Sequence, residues 1–204
     1  MKYDVCVFGG CSLDQMFYQH TDGSYNEKPD MKVPGGKGSN QAIAASRAGA
    51  KTTIITRIGK DEIRKNILEN LRFNGVNTSH VDMVENLSND YSNIYIRLKD
   101  KDNKIERVNG AIDSFTPDMI DKYSDVLLNS NVIVCQLKVP KNVTEKLINF
   151  CHEHKKFLIL TPCRPTKLSI IEDEKNLELI NKISLITCNK EECITMFGTQ
   201  EIEE

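Results

Sequence analysis

No stretch of this sequence stays apolar for long. Its longest apolar runs, such as Ala42 to Ala45 and Val132 to Cys135, fall far short of the roughly 20 residues that a membrane span needs. Charge of one sign is never concentrated either: Lys and Arg number 27 against 29 Asp and Glu, the formal net charge is −2, and no block of like charge is longer than the acidic end Glu201 to Glu204, which Ile202 interrupts. Nucleic acid is therefore not an expected partner, nor is a membrane. The N-terminus, Met-Lys-Tyr-Asp, runs straight into an apolar strand pattern with no signal or transit peptide in view, so a cytoplasmic location is expected. The seven cysteines form no C-x-x-C pair. An odd count without paired spacing suits buried free thiols in a reducing compartment. Cys188 and Cys193 lie five apart and His152 and His154 two apart, spacings that set no two ligands on one helix face, so no metal cluster is expected.

Two phosphate-binding fingerprints are missing as well. Gly35-Gly36-Lys37-Gly38 lacks the G-x-x-x-x-G-K-[ST] spacing of a P-loop, and no strand pattern leads directly into it. Phe8-Gly9-Gly10-Cys11-Ser12-Leu13-Asp14 does not supply G-x-G-x-x-G, which disfavours a dinucleotide-dependent oxidoreductase. What is present is a run of three glycines and a lysine, followed through Ser39-Asn40-Gln41 by the small-residue segment A-I-A-A-S-R-A-G-A. Such glycines admit positive φ and close approach to a ligand, and the following helix aims its free N–H groups into the loop. An oxyanion or a hydroxyl-rich molecule fits there.

Along the chain, strands are expected at Tyr3 to Phe8, Thr52 to Ile58, Asn131 to Gln136, Phe157 to Leu160 and Ser184 to Cys188. Helices are expected at Lys37 to Ala48, Asp61 to Phe73, from Thr116-Pro117 with Pro117 at the first helical position, from near Pro140 to His154, Asn176 to Lys182, and Lys190 to Phe197. Short exposed strands are read at Met16 to His20 and Asp30 to Val33, and a hairpin with one wet face at Ser92 to Leu98 and Lys104 to Val108 around Lys99 to Asn103. The alternation predicts an α/β fold: a single domain over 1–204 with a doubly wound, mainly parallel sheet. A small β lid has its strands within 15–34 and 91–109. Such sheets bind ligands at the carboxyl ends of their strands, where Gly9 to Asp14, the Gly35 loop and Cys188-Asn189 fall.

Gly35-Gly36-Lys37-Gly38-Ser39-Asn40-Gln41-Ala42 resembles the N-terminal signature of the ribokinase-like, or phosphofructokinase B type, sugar kinases. Asp14 after the first strand, Ile58-Gly59-Lys60-Asp61, Gly75-Val76, Asn109-Gly110-Ala111 and Asn189-Lys190-Glu191-Glu192 resemble further family segments in order and spacing, and the likeness runs from Tyr3 to about Gly198. The resemblance implies transfer of the γ-phosphoryl of ATP to a hydroxyl of a sugar or nucleoside. It places Ser12, Asp14, Gly35, Gly36, Lys37, Asn40 and Lys138 on the acceptor. Asn189 and Glu192 fall on the nucleotide side, Glu192 ordering water around Mg²⁺. A monovalent cation is implied for the full-length enzyme, as are a lid that closes over the sugar and pairing with a second copy through the lid strands.

Ser12 stands where the ribokinase branch usually has asparagine, Lys138 where it has glutamate, and Thr161 where asparagine is common. A cation in place of a carboxylate exchanges an acceptor for a donor, so an acidic or phosphorylated substrate enters consideration beside ribose. No G-A-G-D segment, which supplies the family's base and anion hole, occurs in the 204 residues. The base is expected beyond residue 204, and the chain alone is expected to have little or no kinase activity. Removal of the last third of the sheet is expected to uncover apolar surface and favour association. The alternative reading is a non-catalytic sugar-binding or assembly module, a degenerate kinase relative.

Overall fold

The structure is a computed structural model that describes residues 1–99, 102–169 and 173–198. The acidic end Glu201 to Glu204, and Asp100 and Lys101, expected between the hairpin strands, lie outside the described residues. Ten strands and seven α-helices are described: β1 (Tyr3–Phe8), β2 (Ser12–Tyr18), β3 (Met31–Gly35), α1 (Lys37–Arg47), β4 (Thr52–Gly59), α2 (Ile63–Phe73), β5 (Val81–Val84), β6 (Asp90–Arg97), β7 (Asp102–Val108), α3 (Asp118–Lys122), α4 (Ser124–Leu128), β8 (Ser130–Gln136), α5 (Lys141–Glu153), β9 (Phe157–Thr161), α6 (Asn176–Ile180), β10 (Leu185–Ile186) and α7 (Lys190–Phe197).

Six strands form a sheet in the order β10-β9-β8-β1-β4-β5, and every pair in it is parallel. Parallel neighbours need crossovers, and α1, α2 and α5 supply the long ones. Side chains of β1 alternate between two cores. Cys6 and Phe8 join Ile133, Cys135, Leu147, Ile148, Leu158 and Leu160 on one face, while Val7 packs with Ile54, Ile58, Ala42, Ile67 and Leu71 on the other. Helices therefore cover both faces, as the near-continuous apolar strands require. The sheet runs outward in both directions from β1. The switch point between β1 and β8 opens a crevice at the carboxyl ends, where Gly9-Gly10 and Gln136 to Lys138 lie.

The second sheet has the order β3-β2-β6-β7. β2 pairs antiparallel with β3 and parallel with β6, and β6 pairs antiparallel with β7. The register sets Ser12 opposite both Gly35 and Asp90, and Asp14 opposite both Val33 and Ser92. Residues two apart share a face, so Ser12, Asp14, Asp90 and Ser92 line one side.

Several local expectations change. The short strand expected at Asp30 to Val33 is β3, which continues to Gly35 and, contrary to expectation, feeds directly into the glycine loop. The expected strand over Ser184 to Cys188 shrinks to Leu185–Ile186, because among the described residues β10 has only β9 as a neighbour and Leu185 is exposed. The helix after Pro117 breaks at Tyr123 (φ −108°, ψ 18°) into α3 and α4, and Pro117 itself caps α3 rather than occupying its first position. β5 is a strand that sequence patterning missed. Of the seven cysteines, Cys6, Cys11, Cys135 and Cys151 are buried, Cys163 and Cys193 half-buried and Cys188 exposed; all are free thiols. Burial pushes the Cys6, Cys11 and Cys151 thiols up to about 12, which leaves them unreactive at neutral pH.

Candidate functional site

The glycine loop is held against the turn after β1 by backbone contact. Gly36 has φ 97° and ψ 135°, a region open to glycine and costly for residues with a Cβ. A Cβ there would stand 2.8 Å from Ser12 N and 3.0 Å from the Cys11 carbonyl carbon. Gly38 donates its N–H to Gly10 O at 3.1 Å, and a Cβ on it would meet that same oxygen at 2.6 Å. Ser39 Oγ donates to the Gly36 carbonyl at 3.0 Å and also to that of Gly35, and Asn40 N donates to Gly36 O at 2.9 Å to open α1.

Asp14 projects from β2 onto this loop, its Oδ2 standing 2.2 Å from where a Gly35 Cβ would be. Burial holds its carboxyl above the ordinary carboxylate range, opposed by a hydrogen bond from Ser92 and by the charges of Lys138 and Arg107. Ser12 is buried at the head of β2, whereas Lys37 and Asn40 are exposed on the first turn of α1. Ser12, Asp14, Gly35, Gly36, Lys37 and Asn40 thus gather at the carboxyl end of β1, and Lys138 reaches the same region from the segment after β8.

The residues assigned to the nucleotide side form the N-terminus of α7. Asn189 Oδ1 accepts from Glu192 N at 2.8 Å, and Glu192 Oε2 accepts from Asn189 N at 3.2 Å, a capping box. The second carboxylate oxygen, Oε1, takes Lys37 Nζ at 3.2 Å. That ion pair joins the first turns of α1 and α7, so two helix N-termini open onto one cleft and a cation already stands at Glu192.

Sequence reasoning missed three groups here. Gln136 Nε2 donates to Gln41 Oε1, Gln41 Nε2 donates to Thr161 Oγ1 at 2.9 Å, and Thr161 Oγ1 lies 2.9 Å from Thr187 Oγ1, a chain of polar heads across the ends of β8, β9 and β10. Gln41 was visible as part of the glycine signature, but its partners lie 95 and 120 residues away. Asp90 is the second, buried under the acceptor region at 1% exposure. The third is Arg164, whose Nη2 donates to Asn109 Oδ1 at 3.3 Å. Burial raises the Cys163 thiol pKa; the charges of Lys37, Lys138 and Arg164 oppose the rise and that of Glu192 adds to it. Among the described residues no group of three or more His, Cys, Asp or Glu side chains could hold a metal ion, and no helix is long and apolar enough to cross a membrane.

A family profile described as pfkB family carbohydrate kinase matches residues 2–204. Ribokinase of Bacillus subtilis is 30% identical over 207 residues, covering 98% of this chain and 67% of the Bacillus protein. Deoxyribokinase of Salmonella typhi is 31% identical over 163 residues, covering 78% of this chain and 53% of that protein. Among solved structures, Arabidopsis thaliana ribokinase complexed with ribose and ATP matches with a TM-score of 0.81 at 21% identity, over 97% of this chain and 64% of that one. The last likeness concerns the fold alone. The chain spans about half to two thirds of the length of these relatives.

Proposed function

The chain belongs to the pfkB family of carbohydrate kinases, and from that premise we propose that it provides the acceptor site, and part of the nucleotide site, of an ATP-dependent sugar kinase. The observation that carries the reading is the meeting of Asp14 with the glycine loop at the carboxyl ends of a parallel sheet. A carboxylate takes hydrogen bonds from two hydroxyls, and close-packed glycines let backbone N–H groups reach the same molecule. Ser12, Asp14, Gly35, Gly36, Lys37, Asn40 and Lys138 make up the acceptor site in this reading. The second sheet serves as the lid, and β3 and β7, its edges among the described residues, are the strands through which a second copy can pair.

On the nucleotide side Asn189 and Glu192 face the phosphates. Glu192 Oε1 fits a hydrated Mg²⁺, since a carboxylate oxygen that holds an ammonium at 3.2 Å also accepts from metal-bound water. Mg²⁺ supplies charge neutralisation of the phosphates when bound. With Mg²⁺ at Glu192, the Lys37 ammonium, which pairs with that carboxylate here, would remain beside the acceptor and could offset charge on a nearby phosphate.

Titration calorimetry of the 204-residue chain with D-ribose, 2-deoxy-D-ribose, D-fructose and adenosine tests the acceptor half. At least one is expected to bind, and Asp14→Ala to abolish the signal; silence with all four, or unchanged binding by the variant, sinks the reading. One observation favours the second reading, a binding module without nucleotide chemistry: the capping box accounts for Asn189 and Glu192 by helix stability alone. Sugar binding with no response to Mg²⁺·ATP would select it.

A further inference from the structure

Asp90 opens β6 at the foot of the second sheet, and its surroundings fix it. The neighbouring Asn89 clamps the end of β4, its Oδ1 accepting from Gly59 N at 3.0 Å and its Nδ2 donating to Gly59 O at 3.1 Å. Asp90 Oδ2 accepts from Ile112 N at 3.0 Å. The other oxygen, Oδ1, is buried and has no hydrogen-bond partner of ordinary geometry among the described residues; Lys138 Nζ stands 3.5 Å from it as an ion pair. A buried carboxylate oxygen without a donor is costly unless a charge answers it, and the Lys138 ammonium answers it from the cleft side.

Lys138 is held at its other end too. Its carbonyl accepts from Lys167 Nζ at 3.3 Å, and the same ammonium donates to Val139 O at 2.5 Å. The Lys138 side chain is 20% exposed against 2% for Asp90, so the pair is a dipole with its positive end toward the cleft. The Lys138 charge reaches Asp14 as well, where it opposes the effect of burial. The ammonium is thus paired with the carboxylate beneath it, and its charge is felt by the carboxylate assigned to the sugar hydroxyls.

We propose that Asp90 is a positioning residue: it holds the Lys138 ammonium at the acceptor site, where Lys138 donates to one oxygen of the sugar and so determines specificity. A glutamate at position 138 would accept from a sugar hydroxyl, whereas the ammonium only donates, so the oxygen it meets acts as an acceptor. Asp90 supplies the negative charge that position 138 lacks, one layer deeper, and keeps the lysine from swinging out to water. The inference rests on the acceptor-site reading above.

The test uses the full chain, with D-ribose and its 1-, 2- and 3-deoxy analogues titrated by calorimetry into the parent, Lys138→Met, Lys138→Arg, Asp90→Asn and the Asp90→Asn/Lys138→Met double variant. Removing the oxygen that meets Lys138 is expected to weaken binding to the parent about ten- to a hundred-fold, the size of a hydrogen bond to a charged group. That discrimination should vanish in Lys138→Met and Asp90→Asn alike, persist in Lys138→Arg, and fall no further in the double variant. Asparagine can keep the Ile112 bond, so Asp90→Asn isolates the charge. If Asp90→Asn lowers the unfolding midpoint but leaves the discrimination intact, the pair is a structural tie and the proposal is wrong. Equal binding of all four ligands by the parent overturns it as well. Failure of the parent to bind any sugar, including the other three compounds above, removes the acceptor-site reading itself and the pair's role with it.

Discussion

Substituting alanine at two glycines with nearly equal φ separates backbone strain from collision. Gly36 and Gly49 have φ 97° and 95°. A Cβ on Gly49 meets nothing within 4 Å, whereas one on Gly36 stands 2.8 Å from Ser12 N and 3.0 Å from two Cys11 backbone atoms. Both changes incur the cost of an unfavourable φ, about 1–3 kcal/mol. Gly36→Ala adds the overpacking cost of about 1–3 kcal/mol, because the atoms it strikes are backbone and move only with β2 or α1. Gly49→Ala should therefore lower the thermal midpoint by roughly 2–12 °C and Gly36→Ala by roughly 4–24 °C, at about 2–4 °C per kcal/mol for a chain of this length. Differential scanning fluorimetry at one protein concentration, with urea titration as a second measure, reads both. If the two variants melt together, the close approach of the glycine loop to the Cys11-Ser12 backbone does not hold in solution and the packing argument for the site fails. Sugar titration of the Gly36 variant below its midpoint should also show weakened binding.

The Glu192 carboxylate carries two assignments that separate by substitution. Glu192→Gln retains an oxygen for Asn189 N–H and should leave the melting temperature nearly unchanged while abolishing any Mg²⁺-dependent response to ATP, whereas Asn189→Ala should cost about 0.5–2 kcal/mol through the lost cap; equal Mg²⁺·ATP titrations for Glu192→Gln and the parent would refute the metal role. Asp14 has a raised pKa in the folded chain, so folded protein binds more protons than unfolded through the carboxylate range. Its contribution to stability is full at low pH and is lost as pH rises through the folded value. Asp14→Asn should therefore raise the unfolding midpoint at pH 7 relative to the parent, and the gap should narrow toward pH 4; a lower midpoint at pH 7 would contradict the burial argument. Gln41→Leu strips the Gln136 amide of its partner in a residue that is 1% exposed, and should cost about 1–3 kcal/mol by urea titration; a neutral change would mean that water replaces the bond.

The central strands were legible because each is buried on both faces. Y-D-V-C-V-F and T-T-I-I-T-R-I read as continuous apolar or β-branched runs and became β1 and β4. β5 was not legible: four residues with Asp82 among them carry little pattern, and their pairing with β4 at the sheet edge decides the matter. The expected hairpin of β6 and β7 formed, but nothing local marks the parallel pairing of β2 with β6. The glycine loop and Asp14 were visible as residue types in a spaced order. The Lys37 to Glu192 contact, 155 residues apart, and the Lys138 to Asp90 pair were not, because charged side chains choose partners only after the chain has brought them together.

The pairing of β2 with β6 also bears on the order of assembly. Gln15 and Asn93, bonded across this pair at 3.1 Å, are 78 residues apart in the chain, while Arg97 and Asp102, at the turn of the adjacent β6–β7 hairpin, are five apart. Closing the short loop costs far less chain entropy than closing the long one. Between β2 and β6 the chain must pass through α1, β4, α2 and β5, so the parallel pair becomes cheap to close only after β4 has docked on β1. The hairpins β2–β3 and β6–β7 can form early as separate ribbons. Their union is expected to come late, and with it the polar face that carries both Asp14 and Asp90.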